Sequence, residues 1–127
     1  MSAWRRRAIE TWPEATALVQ EPDTTIYLLF FELLAWVKKA HDGGDEAQLQ
    51  RIYDFAHWCL GTSSRDLQNA AAVAFFEHLV DEEPTRRAMP RWIQPSAFAD
   101  LKPLFEARMS PEAYGALCRA YENRGRR

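Results

Sequence analysis

The sequence predicts an all-α fold: about six helices in one compact antiparallel helical array. Three observations point there. Glycine is scarce, at five in 127 residues, and β-branched residues are few beside Ala, Leu, Glu and Arg, a balance that favours helices over strands. Apolar residues recur at spacings of three and four along most of the chain. Capping residues, glycines and prolines separate these periodic segments. With 47% hydrophobic and 13% aromatic residues, the chain has ample material for one core. One all-helical domain spanning 1–127 is expected, and whole-chain disorder is excluded.

The first helix is expected over 3–20, with Ile9, Trp12, Thr16 and Val19 on one face. Pro13 either kinks it or opens a shorter helix over 13–20, since proline removes a hydrogen bond inside a helix but suits its first position. After the Glu21-Pro22-Asp23 break, Asp23 or Thr24 can cap a second helix over 24–41. This is the most apolar segment, and Gly43-Gly44 ends it. Asp45 caps a third helix over 46–61, whose core stripe is Leu49, Ile52, Tyr53, Ala56 and Leu60. Ser63 and Asp66 stand at capping-box spacing before a fourth helix over 65–82. Its Ala70-Ala71-Ala72 run admits a close neighbour, so the second and fourth helices are the expected central pair. Residues 83–95 carry three prolines and read as a long irregular stretch. A fifth helix follows over 96–107, with Pro103 kinking it or shifting its start. Ser110-Pro111-Glu112 opens a sixth over 111–123, ahead of a basic tail, Arg124-Gly125-Arg126-Arg127. Phe30-Phe31-Glu32-Leu33-Leu34 recurs as Phe75-Phe76-Glu77-His78-Leu79, 45 residues on. HEAT repeats have periods of about 40–47 residues, so a HEAT-like stack of hairpins fits this spacing.

Charge is segregated. Residues 10–83 hold 14 acids and 4 bases, whereas 1–9 with 84–127 hold 4 acids and 12 bases. Either the basic ends fold back on the acidic middle, or two opposite faces meet partners; a homodimer pairing the ends of one chain with the middle of the other is one form of this. The apolar run from Ile26 to Val37 is far shorter than the roughly 20 residues of a membrane span. No apolar stretch of seven or more follows Arg5-Arg6-Arg7, so no secretory leader is expected. Cys59 and Cys118 fall inside expected helices and read as free thiols of a cytoplasmic protein.

Few residues suggest chemistry. Glu32 and Glu77 interrupt apolar helices, and an inward carboxylate needs an Arg, a His or another donor. Asp54 and His57 are three apart on one helix. With Glu32, Glu77 and His78 they match in part the carboxylate and Glu-x-x-His donor set of di-metal bundles, but position 75 is Phe, so the second acid-x-x-His is missing. Arg86, Arg87, Arg91 and Trp92 combine guanidinium groups with an aromatic anchor. Nucleic acid is disfavoured by the net charge of −2 and by the lack of a basic helix stripe. There is no glycine-rich phosphate loop, Cys-x-x-Cys or Gly-x-Ser-x-Gly motif, and no motif calls for a cofactor.

The aromatic helix Tyr27-Leu28-Leu29-Phe30-Phe31-Glu32-Leu33, the stretch 51–60 containing Tyr53-Asp54-Phe55-Ala56-His57-Trp58, and the stretch 66–79 resemble a small bacterial all-helical domain family of unknown function. The resemblance spans about 9–120. It implies an all-α, stand-alone cytoplasmic protein and brings no catalytic residues. The expected function is a non-catalytic interaction module that binds and neutralises a basic bacterial partner, as immunity-type proteins do. Its contact residues are Asp54, His57, Asp66, Asp81, Glu82 and Glu83, with Arg86, Arg87, Arg91 and Trp92 on the adjoining segment. The competing expectation is a metal-binding protein or metal-dependent enzyme using Glu32, Asp54, His57, Glu77 and His78.

Overall fold

Side-chain caps set four of the helix starts. Thr25, Asp45, Ser64 and Ser110 each accept a backbone N–H from the residue three positions on, at 3.1, 3.1, 3.3 and 3.2 Å. The computed structural model describes residues 1–125. Among them lie eight α-helices, two 3₁₀ turns and no strand. Helix α1 (Ala3–Thr11) is followed by a 3₁₀ turn (Pro13–Ala15) and α2 (Thr16–Gln20). Then come α3 (Ile26–Gly43), α4 (Glu46–Gly61), α5 (Arg65–Ala74), a second 3₁₀ turn (Phe76–Val80), α6 (Glu83–Trp92), α7 (Pro95–Arg108) and α8 (Pro111–Gly125).

The fold class is as expected, but the count of six helices is too low. The chain turns at Trp12 (φ −130°, ψ 78°), and Pro13 opens the 3₁₀ turn that leads into α2. Thr25, not Asp23 or Thr24, caps α3, and Ser64 replaces Ser63 at α5. The expected helix over 65–82 stops at Ala74. There Phe75 leaves the helical region (φ −129°, ψ −75°), and both Phe75 and Phe76 are fully buried. Across this break the two rings meet edge to face, 5.4 Å between centres.

The irregular stretch expected over 83–95 is largely helical. Pro84 lies in the first turn of α6, where its missing N–H has no partner to lose, and Pro95 opens α7 in the same way. Only Pro90 interrupts the interior of α6. The Thr85 hydroxyl is buried between the Leu79 and Glu82 carbonyl oxygens, at 2.7 and 3.1 Å, and fixes the first turn of the helix. Gly44, with φ 66°, takes the left-handed conformation that ends α3 and lets α4 turn back.

The core is centred on α3, α4 and α5. The expected central pair packs through Phe30 and Phe75, whose ring centres are 5.7 Å apart, and α4 joins them by placing Phe55 5.7 Å from Phe30 and Tyr53 6.1 Å from Phe75. Buried Ala70, Ala71, Ala72 and Ala74 keep the face of α5 low enough for close approach. Trp12 reaches this cluster from the N-terminal segment, 5.4 Å from Phe55. Arg5 secures that segment: its guanidinium donates to the carbonyls of Val19, Glu21 and Thr24 across the break before α3. The C-terminal helices add a second aromatic stack, Phe98 on Tyr121 at 3.9 Å and on Phe105 at 5.6 Å.

Part of the basic C-terminal half does fold back on the acidic middle. Arg91 pairs with Glu46 at 2.6 Å, and Arg108 with Asp81 at 2.6 Å and Glu77 at 3.7 Å. Arg126 and Arg127 of the basic tail lie outside the described residues. The two copies of the 45-residue repeat differ in local structure: the first is mid-helix with Phe31 half exposed, the second spans a helix break with both rings buried. Among the described residues no helix is long and apolar enough to cross a membrane.

Candidate functional site

Glu46, Gln50, Asp54 and His57 follow one another on α4 at spacings of four, four and three, which places them on one helix face. Opposite them stand Arg91 and Trp92 from the last turn of α6, Gln94 from the link to α7, and Arg124 from α8. Together they enclose an open cleft of about 500 Å³. The structure thus brings together four residues that the sequence singles out: Asp54, His57, Arg91 and Trp92.

Each of these side chains is held. Gln50 donates to the Asp54 carboxylate at 2.8 Å. The Arg91 guanidinium bonds Glu46 and lies 5.0 Å above the Trp92 ring. Trp92 stacks on buried Tyr53, 5.5 Å between centres and 14° from parallel, and the Tyr53 hydroxyl pairs with His41 Nε2 at 2.8 Å. Burial raises the Tyr53 phenol well above its ordinary value, and lowers the His41 imidazole against the pull of Asp42. His57 Nε2 accepts the Gln94 backbone N–H at 3.3 Å, while its ring rests 5.5 Å from Phe76. Burial lowers its affinity for a proton; a hydrogen bond to the Tyr53 backbone and the charge of Asp54 only partly offset this. His57 is therefore a neutral imidazole whose outer lone pair is already used.

The other sequence-predicted residues lie elsewhere. Asp66 is exposed on the first turn of α5 and borders a separate recess with Asn69 and Asp100. Asp81 is bonded by Arg108, which holds its carboxyl below the usual range; His78 adds a weaker contact at 3.3 Å. Glu82 pairs with Lys38 at 2.8 Å, Glu83 with Arg87, and Arg86 donates to the Val80 carbonyl. The expected acidic contact surface is thus spread over several places, and most of its carboxylates already have cationic partners.

The proposed metal donors do not converge. Glu32 is exposed on the solvent side of α3, Asp54 and His57 belong to the cleft, and Glu77 is half-buried against Arg108 with His78 beside it. Among the described residues no group of three or more His, Cys, Asp or Glu side chains could hold a metal ion. Glu32 and Glu77 therefore owe their places in apolar segments to solvent in one case and to an arginine in the other. Cys59 is buried in α4, and that burial pushes its thiol up to about 12, so it is no nucleophile at neutral pH.

Sequence reasoning missed Gln94 and the role of Arg124. The Arg124 guanidinium donates to the Pro90 and Ile93 carbonyls and closes one end of the cleft. The last carbonyls of a helix have no intrahelical donor, and an arginine elsewhere in the chain is the kind of residue that satisfies them, but spacing alone does not pair the two.

Fold and cleft together define a small all-α domain with a mixed-charge surface cleft. The chain belongs to the family described as domain of unknown function DUF7674, whose profile matches residues 5–112. That span includes every cleft residue except Arg124. No curated protein and no solved structure matches the sequence.

Proposed function

We propose that the chain is a non-catalytic interaction module that receives a basic segment of a protein partner in the cleft between α4, α6 and α8. One observation carries this reading: within the cleft, Asp54 is an exposed carboxylate that, among the described residues, has only the neutral Gln50 amide as partner. Glu46, two turns earlier on the same face of α4, is already paired with Arg91. An arginine or lysine entering the cleft meets one available carboxylate, while the Trp92 ring, stacked on Tyr53 and covered by Arg91, serves as a fixed wall. A partner of this kind fits the immunity-like role expected from the charge of residues 10–83. In this reading the helices act as a scaffold in the manner of a HEAT-like array: side chains of successive helices, not a loop, make the contacts.

The test is fluorescence anisotropy with a labelled peptide alternating arginine and glycine. Binding should weaken as salt rises, and Asp54→Arg should lower affinity by about tenfold, the scale of a close charge pair lost and a like charge gained. Binding that survives Asp54→Arg rejects the cleft as the site. Binding that also survives charge reversal at Asp54, Asp66 and Glu82 together rejects the whole reading.

A further inference from the structure

We propose a second binding site on the opposite side of α4: a groove that takes a small aromatic or aliphatic carboxylate. Gln48 and Arg51 lie across the buried stripe of α4 from the cleft residues. With α3 and the segment around Trp12 they bound a cavity of about 860 Å³. This volume is within the range of small-molecule sites, which are mostly apolar with a few placed polar groups.

The walls have that composition. Half-buried Trp36 forms the apolar floor and meets buried Trp12 beneath it edge to face, 5.7 Å between centres, with Leu18 exposed along one side. Trp12 is pinned because its indole N–H donates to the Gln48 side-chain oxygen at 3.0 Å, so the floor is set before any ligand arrives. Lys39 from α3 and Arg51 from α4 stand at the rim. Both are exposed, and neither has an acidic partner among the described residues, whereas neighbouring Lys38 is paired with Glu82.

Two acids also border the groove, and neither is in an ion pair with these cations. The Asp45 carboxylate is occupied in capping α4 through the Gln48 N–H. Glu14 lies on the remaining wall, in the exposed 3₁₀ turn, so it sets the polarity of the ligand: apolar body on Trp36 and Leu18, anionic end toward Lys39 and Arg51. An aromatic or aliphatic carboxylate satisfies both features, and a cation or a neutral hydrocarbon satisfies one.

Two dyes with the same fused ring isolate the charge. Anilinonaphthalene sulfonate carries an anion and N-phenyl-1-naphthylamine does not. The sulfonate should bind one to one, and Lys39→Gln with Arg51→Gln should weaken it by about fivefold to tenfold, two exposed ion pairs' worth, while the neutral dye changes less than about twofold. Ala17→Trp, at an exposed position on the groove wall, should fill the groove and reduce binding of both dyes. Naphthoate should displace the sulfonate dye, and naphthylmethylamine should not. Exposed Lys102 and Arg119, on α7 and α8, serve as the control pair for general charge, and their glutamine variants should bind like the wild type. The proposal is overturned if Ala17→Trp leaves binding intact, if the control pair weakens the sulfonate as much as Lys39 and Arg51 do, or if the amine competes as well as the carboxylate. Because these positions are exposed, unchanged circular dichroism and melting temperature verify that each variant is folded.

Discussion

Both halves of the molecule pack buried aromatic rings, and they differ in what is added to that packing. In α3–α5 the rings of Phe30, Tyr53, Phe55 and Phe75 pack on one another at 5.7–6.1 Å, and the helices run without an internal proline. In α6–α8, prolines stand inside two of the three helices, and side-chain donors satisfy backbone carbonyls near the end of α6. The Tyr121 hydroxyl lies 3.0 Å from both the Met89 and Ile93 carbonyl oxygens and shares its proton between them, and Arg124 reaches Pro90 and Ile93. Burial of apolar surface is nondirectional and strong, whereas a hydrogen bond to a helix end is directional and contributes about 1 kcal/mol. The first half therefore rests on packing throughout, whereas in the second the directional bonds at the end of α6 also set where the cleft's second wall stands.

The largest expected effect tests the first half. Phe30 is fully buried between Phe55 and Phe75. Phe30→Ala removes a ring from the centre of the packed cluster and should cost about 3–5 kcal/mol in urea unfolding, as ring-to-methyl changes in cores do. A loss below about 1 kcal/mol would mean that the rings of α3–α5 are not the main support.

Tyr121→Phe tests the second half. It keeps the ring stacked on Phe98 and removes only the hydroxyl. The Met89 and Ile93 carbonyls then lose their shared donor but keep the Ile93 N–H and the Arg124 guanidinium, so the cost should be about 1 kcal/mol. Hydrogen exchange should locate the loss at the C-terminal turn of α6 and leave α3–α5 protected. Uniform loss of protection across both halves would show that the hydroxyl supports the whole core and would erase the distinction.

The same contrast explains which features could be read from the sequence. Period and caps give the middle of the first half, where the Asp45 cap stands as expected, and in the second half the Ser110-Pro111 start does too. The second half is misread because three prolines in 83–95 look alike as letters. Pro84 and Pro95 are helix starters and only Pro90 interrupts an interior, a difference set by where each helix begins. The break at Phe75 left no local sign, since both the helix and the 3₁₀ turn around it are apolar. Within the cleft, Asp54 and His57 were legible as an i, i+3 pair. Their meeting with Arg91 and Trp92 depends on α6 being a helix. The groove at Trp12 and Trp36 was not legible at all: its walls come from three segments, and pairwise contacts between distant segments leave no mark in spacing.

The smallest expected effect lies at the seam between the halves, where His57 of α4 accepts the N–H of Gln94 at the start of α7. Burial lowers the proton affinity of His57, and of His41 beside Tyr53, below the ordinary imidazole value of 6.5. Below that pH the unfolded chain binds protons at these sites that the folded chain resists, so stability falls as pH drops through 6.5 and levels off once the folded imidazoles also titrate. Asp81 acts in a separate window. Arg108 holds its carboxyl below 3.8, so its contribution is complete above that value and is lost as pH falls beneath it. Chemical unfolding followed from neutral pH downward should therefore show two descents, the upper one shallower in the His57→Gln variant and the lower one shallower in Asp81→Asn. Protonated His57 can no longer accept from Gln94, so the upper descent should coincide with faster exchange of the Gln94 amide while the Phe30 amide stays protected. If both amides respond together, the two halves are one cooperative unit and the seam is not a separate point of weakness.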